Sequence, residues 1–354
     1  MSFFKKTFAG FCLLFSLIGH TAFAQNIQYS QFHHSPLLLN PAAVAAKSEL
    51  LAMLNYRTQL TQTGQSYATS MLSVVVPFIN QRSRNNTAFG KIEHVHRWGG
   101  LGVSVLQDVE KGSDQTKLRT TGGHLTYAHN IDVGGTSYLS FGMQMGYFRR
   151  SLETDLVTES QFVYGGADPS LPANEDFVGS AVGFATFSAG MMLYSEDKHG
   201  RFKNYFSLSA YNFNQPNVTF FERAANQNTD LLPLRMVAAA GLRVYDNDRF
   251  TVLPKIRWIQ QRNSSQVNVG VLTKIHPKQE DPHTSIGVGA WYSIDNAMIF
   301  SFEYYTPHFI LGLSYDLRFG SNLELGEGNG IPEVALAFRK LIGEPKRKKR
   351  KIKK

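Results

Sequence analysis

Histidines come close together in two places, His33-His34 and His94-x-His96. Imidazole is the commonest metal ligand, but a site needs further His, Cys, Asp or Glu at compatible spacing. Nothing near either pair makes a compelling further ligand. Neighbouring residues of a strand point to opposite faces, which would separate His33 from His34. His94 and His96 would share a face but sit in a polar connection. No metal site is expected. No G-x-S-x-G, H-E-x-x-H or P-loop appears. Gly99-Gly100-Leu101-Gly102 and Gly326-x-Gly328-x-Gly330 open no amphipathic helix, so they read as tight turns and a flexible loop rather than phosphate cradles. Serines are so general along the candidate inner faces that no nucleophile stands out. The expectation is no catalytic residue and no cofactor.

The most distinctive local run is basic: Lys346, Arg347, Lys348, Lys349, Arg350, Lys351, Lys353 and Lys354, with Ile352 between. Such a run suits a nucleic-acid patch or a solvated tail. Context decides against nucleic acid. Residues 1–24 read as a secretory signal: Lys5 and Lys6, an apolar stretch from Phe8 to Ile18, and Ala22-Phe23-Ala24 as the small-x-small cleavage site before Gln25. The single cysteine, Cys12, lies within that segment, so the chain from Gln25 has none, and a disulfide framework is excluded. The chain has 36 Lys and Arg against 27 Asp and Glu. Setting aside the two lysines of 1–24 and the eight basic residues of 346–354 leaves 26 basic residues against 27 acidic ones, a net charge of −1. The basic character therefore belongs to the tail, and docking to an anionic periplasmic surface or protein is its functional reading.

What positions any site is a chain with a period of two. Leu139, Phe141, Met143, Met145 and Tyr147 alternate with Ser140, Gly142, Gln144 and Gly146. Met298, Phe300, Phe302 and Tyr304 alternate with Ile299, Ser301 and Glu303, and Phe309, Leu311, Leu313, Tyr315 and Leu317 with Ile310, Gly312, Ser314 and Asp316. This is a strand pattern. A soluble sandwich would expose many Lys, Glu and Thr. Here the polar face is mostly Gly, Ser, Gln and Asn, which suits a crowded wet lumen with the apolar face turned to lipid. The expected fold is an all-β, antiparallel outer-membrane barrel of about fourteen strands. They centre on 50–59, 68–78, 98–109, 117–128, 136–148, 181–194, 204–213, 234–245, 250–260, 266–275, 284–293, 297–305, 308–318 and 332–341.

Outer-membrane barrels have short periplasmic turns and longer outside loops. With a periplasmic N-terminus, the long gaps 149–180, 214–233 and 319–331 fall outside, and the short turns 129–135, 246–249 and 306–307 fall in the periplasm. The exception is 79–97, a long polar connection on the periplasmic side. The expected organisation is a signal peptide over 1–24, a barrel over 25–343 and a basic periplasmic tail over 344–354, with both termini periplasmic.

Four stretches in this order carry a family resemblance. Gln28-Tyr29-Ser30-Gln31-Phe32 precedes Leu38-Leu39-Asn40-Pro41-Ala42, then come Asn55-Tyr56-Arg57-Thr58-Gln59 and Gly100-Leu101-Gly102 with Asp108 and Gly112. Leu311-Gly312-Leu313-Ser314-Tyr315-Asp316 with Ser321-Asn322-Leu323, and Glu333 to Phe338, close the series. Together they resemble the PorP/SprF family of outer-membrane proteins of Bacteroidetes type IX secretion and gliding motility. The resemblance marks Tyr29, Gln31, Asn40, Pro41, Tyr56, Arg57, Gln59, Gly312, Ser314, Tyr315 and Asp316 as family-motif residues. It implies a non-catalytic barrel in outer-membrane lipid. Its implied partners are secretion-machinery components of the periplasm or outer membrane, with a large secreted surface protein among the candidates. The rival expectation is a passive porin or small hydrophobic-ligand channel.

Overall fold

The computed structural model describes residues 28–46, 49–60, 64–80, 96–112, 116–134, 136–153, 162–163, 166–167, 181–197, 201–220, 230–247, 249–277, 284–294, 297–319 and 330–341. Fourteen strands build one closed antiparallel barrel. They are β1 Glu49–Leu60, β2 Ser66–Asn80, β3 His96–Lys111, β4 Lys117–Gly134, β5 Ser137–Glu153, β6 Ala181–Glu196 and β7 Phe202–Tyr211. The second half is β8 Arg235–Leu242, β9 Phe250–Gln261, β10 Ser264–Ile275, β11 Ser285–Ser293, β12 Ala297–Tyr305, β13 Phe309–Arg318 and β14 Gly330–Leu341. Every strand pairs with its neighbours in sequence, and β14 pairs back onto β1 from Glu49↔Leu341 to Arg57↔Glu333. No sheet edge is left to face lipid, which is the condition for spanning with strands. Among the described residues no helix is long and apolar enough to cross a membrane.

The alternation sets the faces as expected. On β12, Met298, Phe300, Phe302 and Tyr304 are exposed, while Ile299, Ser301, Glu303 and Tyr305 are buried in the lumen. On β5 and β13, Phe141, Met143, Leu313 and Tyr315 face outward and Gly142, Gln144, Ser314 and Asp316 inward. The connections 154–180, 212–234 and 319–329 share one end of the barrel, here the loop end; the turns between β4 and β5 and between β12 and β13 mark the opposite, turn end.

Several expectations change in detail. The 129–135 turn is shorter, because β4 continues to Gly134, whose φ of 115° makes the bend, and β5 begins at Ser137. The long connection at the turn end narrows to 81–95, which lies outside the described residues with His94. Gly99 to Gly102 are strand residues of β3, not a tight turn. Also outside the described residues are the signal segment with Ala22, Ala24 and Gln25, Gly326 and Gly328, and the tail from Lys346 to Lys354.

The largest departure is the segment 28–46. It forms no strand and fills the lumen. Gln28 donates to Gln266 (2.7 Å), near the hairpin joining β9 and β10 at the loop end, whereas the Ala45 carbonyl accepts from Asn130 (2.8 Å) near the turn end. The chain thus descends the lumen before β1 climbs back. Gln28 and Leu341 sit at opposite ends of the barrel.

Candidate functional site

The plug is three short turns punctuated by proline. Phe32–His34 is a 3-10 turn, Pro36–Leu39 a single α turn and Pro41–Val44 a second 3-10 turn. Ser35 and Asn40 stand just before Pro36 and Pro41, and a proline at the first helical position needs no amide donor there. Asn40 caps the last turn by accepting the Ala42 amide (2.8 Å). Its Nδ2 donates to the Met191 and Leu208 carbonyls of β6 and β7 (3.0 and 2.9 Å).

A plug of one chain thickness leaves its own carbonyls and amides to be satisfied by the wall. At the turn-end half, neutral side chains do most of this, with Arg235 donating to the Leu38 carbonyl (3.4 Å). Ser140 donates to the Ala42 carbonyl (2.8 Å), Ser209 to that of Leu39 (2.9 Å), and Gln144 and Tyr211 to that of Leu37 (3.2 and 3.1 Å). Leu37 and Val44 pack with Met53, Val75, Ala128 and Ala337 in one buried cluster. Glycines in the wall make room. A Cβ on Gly142 would strike the Pro41–Ala42 backbone, one on Gly190 the Asn40 side chain, and one on Gly312 the Gln31 amide oxygen. On β3, a Cβ on Gly102 would stand 2.7 Å from Leu37 Cδ2, and one on Gly100 2.9 Å from the Val44 carbonyl. Their lumen role is close approach, where turn geometry was expected.

At the loop-end half the fastening is ionic. Glu333 of β14 accepts two consecutive backbone amides, Ser30 on Oε2 (2.7 Å) and Gln31 on Oε1 (2.9 Å). Ser30 Oγ donates to Asp316 Oδ2 (2.5 Å). Arg57 donates to the Gln28 carbonyl (3.2 Å), Ser30 Oγ (3.0 Å) and Asp316 Oδ2 (3.2 Å), and lies 3.8 Å from Glu333. Arg257 donates to the Tyr29 carbonyl (2.9 Å) and stands 4.7 Å above the Phe32 ring. Gln31 Nε2 reaches Ser314 Oγ (3.2 Å). Charge-assisted bonds of this kind are about twice as strong as neutral ones. Burial pushes the Tyr29 phenol well above its ordinary range.

Between the halves lies a third contact. His33 Nε2 is 2.7 Å from Glu303 Oε1, and His34 Nε2 3.3 Å from Oε2. The two imidazoles converge because 32–34 is a 3-10 turn, not the strand that would have parted them. Burial lowers the His33 imidazole to about 3, and Lys255 lowers it further, against the pull of Glu303.

Most of the family-motif residues therefore meet. Tyr29, Gln31, Asn40 and Pro41 are plug residues; Gly312 and Ser314 meet Gln31, and Arg57 and Asp316 meet Ser30, whereas Asn40 and Pro41 meet β5, β6 and β7. Gln59 lines a small polar cavity of about 80 Å³ with Gln28 and Arg57. Tyr56 and Tyr315 do not join; both face lipid, 45 and 48% exposed. Sequence reasoning missed Glu303, Glu333 and Arg257 as plug contacts. The available signal was their charge at inward positions of membrane strands, where an ionisable group needs a partner. On the loop-end side of the plug is a cavity of about 360 Å³, lined by the apolar Leu38, Leu106, Phe148 and Phe184 and the charged Asp108, Glu110, Arg150 and Arg235.

A closed, lipid-faced barrel with a fastened lumen defines an outer-membrane β-barrel protein. The chain belongs to the PorP/SprF family: the model of the type IX secretion system membrane protein PorP/SprF matches residues 21–338. Two solved outer-membrane barrels share the fold. The CymD monoaromatic hydrocarbon channel has a TM-score of 0.50 at 12% identity, covering 92% of this chain and 96% of that one. The TodX monoaromatic hydrocarbon channel deltaS2 mutant has a TM-score of 0.50 at 11% identity, covering 88 and 94%. No curated protein matches.

Proposed function

We propose that this protein is a non-catalytic accessory of type IX secretion, a plugged outer-membrane barrel serving secretion or surface attachment of specific proteins, with a part in gliding. Family membership supports the secretion role. The observation that carries the reading against a passive pore is the plug. A pore gains nothing from placing its own backbone across the lumen and fixing it to Glu333, Arg57 and Arg257. In this reading the turn end and the basic tail face the periplasm and its machinery, and the loop end faces outward. The test is deletion of the gene followed by comparison of the surface proteome and of spreading on agar. Unchanged surface proteins with unchanged spreading would reject the proposal.

The second reading, a small hydrophobic-ligand channel, draws on the mainly apolar cavity of about 360 Å³, a size within the range of ligand pockets. Planar-bilayer recordings separate the two: steady conductance from the intact chain favours the channel, and silence favours the plugged accessory.

A further inference from the structure

We propose that His33, His34 and Glu303 form a site for one divalent transition-metal ion of the Zn²⁺ class, which pins the plug to β12. The three donor atoms lie within 4.8 Å of one another in the buried lumen. Around a tetrahedral ion with bonds of about 2.0–2.2 Å, neighbouring ligand atoms stand about 3.3 Å apart. The separations of 2.7 and 3.3 Å from the two imidazoles to the carboxylate are close to that, so side-chain shifts suffice. Two imidazoles and one carboxylate suit Zn²⁺, Co²⁺, Ni²⁺ or Cu²⁺ rather than Ca²⁺ or Mg²⁺, which require more oxygen ligands.

The surroundings fit a ligand set better than a finished hydrogen-bond network. His33 Nδ1 is buried without a hydrogen-bond partner, and His34 Nε2 has only the 3.3 Å approach to Glu303 Oε2, off hydrogen-bond geometry. A neutral imidazole is the ligating form. Tyr305 donates its hydroxyl to Glu303 Oε2, an outer contact of the kind that orients a ligating carboxylate. Trp291 stacks on His33 at 5.8 Å and 29°, and covers the cluster on that side. Lys255 lies 5.8 Å from the Trp291 ring and Lys274 3.6 Å from that of Tyr305. Their charges oppose the ion, so binding relies on direct ligation rather than on the local field.

The untagged chain, folded in detergent and stripped with chelator, is titrated with Co²⁺ and Zn²⁺, then desalted and assayed for bound metal. The expected result is about one ion per chain, with a tetrahedral or five-coordinate Co²⁺ spectrum. Glu303→Gln and the double variant His33→Gln/His34→Gln keep side-chain volume, and their fold is checked by heat-modifiable migration. Each folded variant should lose about tenfold or more in affinity. No stoichiometric metal on the wild-type chain would overturn the site and leave the three residues a hydrogen-bonded tether. Equal binding by the folded variants would overturn it as well.

Discussion

Replacing Arg57 with Ala tests whether the ionic half of the fastening holds the plug. The guanidinium donates three hydrogen bonds at 3.0–3.2 Å, two of them to the plug, and stands beside two buried carboxylates, Asp316 and Glu333. Removing one partner of a buried ion pair costs about 3–5 kcal/mol, because the other charge is left uncompensated. The Arg57 side chain is 21% exposed, and solvent screening brings the expectation to about 2–3 kcal/mol. At 1.4 kcal/mol per decade, the unseated plug becomes about 30- to 150-fold more populated. The assay is thiol labelling. Ser35 is buried in the plug, with its hydroxyl bonded to the Phe32 carbonyl, and the sole native cysteine is Cys12, so Ser35→Cys in a Cys12→Ser background gives one reporter. Arg57→Ala should raise the maleimide rate by that factor. Arg57→Lys keeps the charge but not the fork that spans three acceptors, and should fall between. A rate in Arg57→Ala within about twofold of the parent, against the decades expected, would refute the reasoning.

Three other outcomes are expected. Leu313→Arg puts a charge on the lipid face at a cost of about 2–4 kcal/mol near the midplane, measured by denaturant titration in bilayers; Ser314→Arg instead collides with Gln31 in the lumen, and equal tolerance at the two positions would contradict the register. The folded barrel should migrate faster on unheated gels and fractionate with the outer membrane, and recovery as a soluble periplasmic protein would contradict it. Deleting 346–354 should leave barrel assembly intact and weaken a salt-sensitive pull-down with periplasmic partners, whereas co-purification of the same partners at the same salt would make the tail a solvated end.

The strands were legible because lipid on one side and a lumen on the other force a period of two, and that pattern survives in Met298 to Tyr305 residue by residue. The plug was not. Leu37-Leu38-Leu39 and Ala42-Ala43 have neither a helical nor a strand period, and their burial comes from a wall distributed over the whole chain. Gly100 and Gly102 looked like turn residues because a glycine needed for close approach carries no sign of what approaches it. Motif residues such as Gln31, Arg57 and Ser314 were visible singly. That they touch follows only from closure of β14 onto β1, which sets Glu333 opposite Arg57. His33 and His34 were parted by a strand assumption that the 3-10 turn removes.

The Glu333 clamp also constrains the order of assembly. Ser30 and Glu333 are 303 residues apart, and Ser30 and Asp316 are 286 apart. The Ser30 and Gln31 amides can be secured only after the final strand is in place, so a segment that leaves the ribosome early waits for one that leaves last. Contacts this distant in sequence are slow to form, since the chain entropy of closing the loop is lost before they can stabilise anything. Glu333 also spans the β1–β14 seam, because it lies on β14 and Arg57, 3.8 Å away, lies on β1. Seam and loop-end fastening are therefore coupled: a nascent barrel whose last hairpin has not docked lacks the Glu333 clamp, and an agent that pries the seam apart also loosens the loop-end half of the plug.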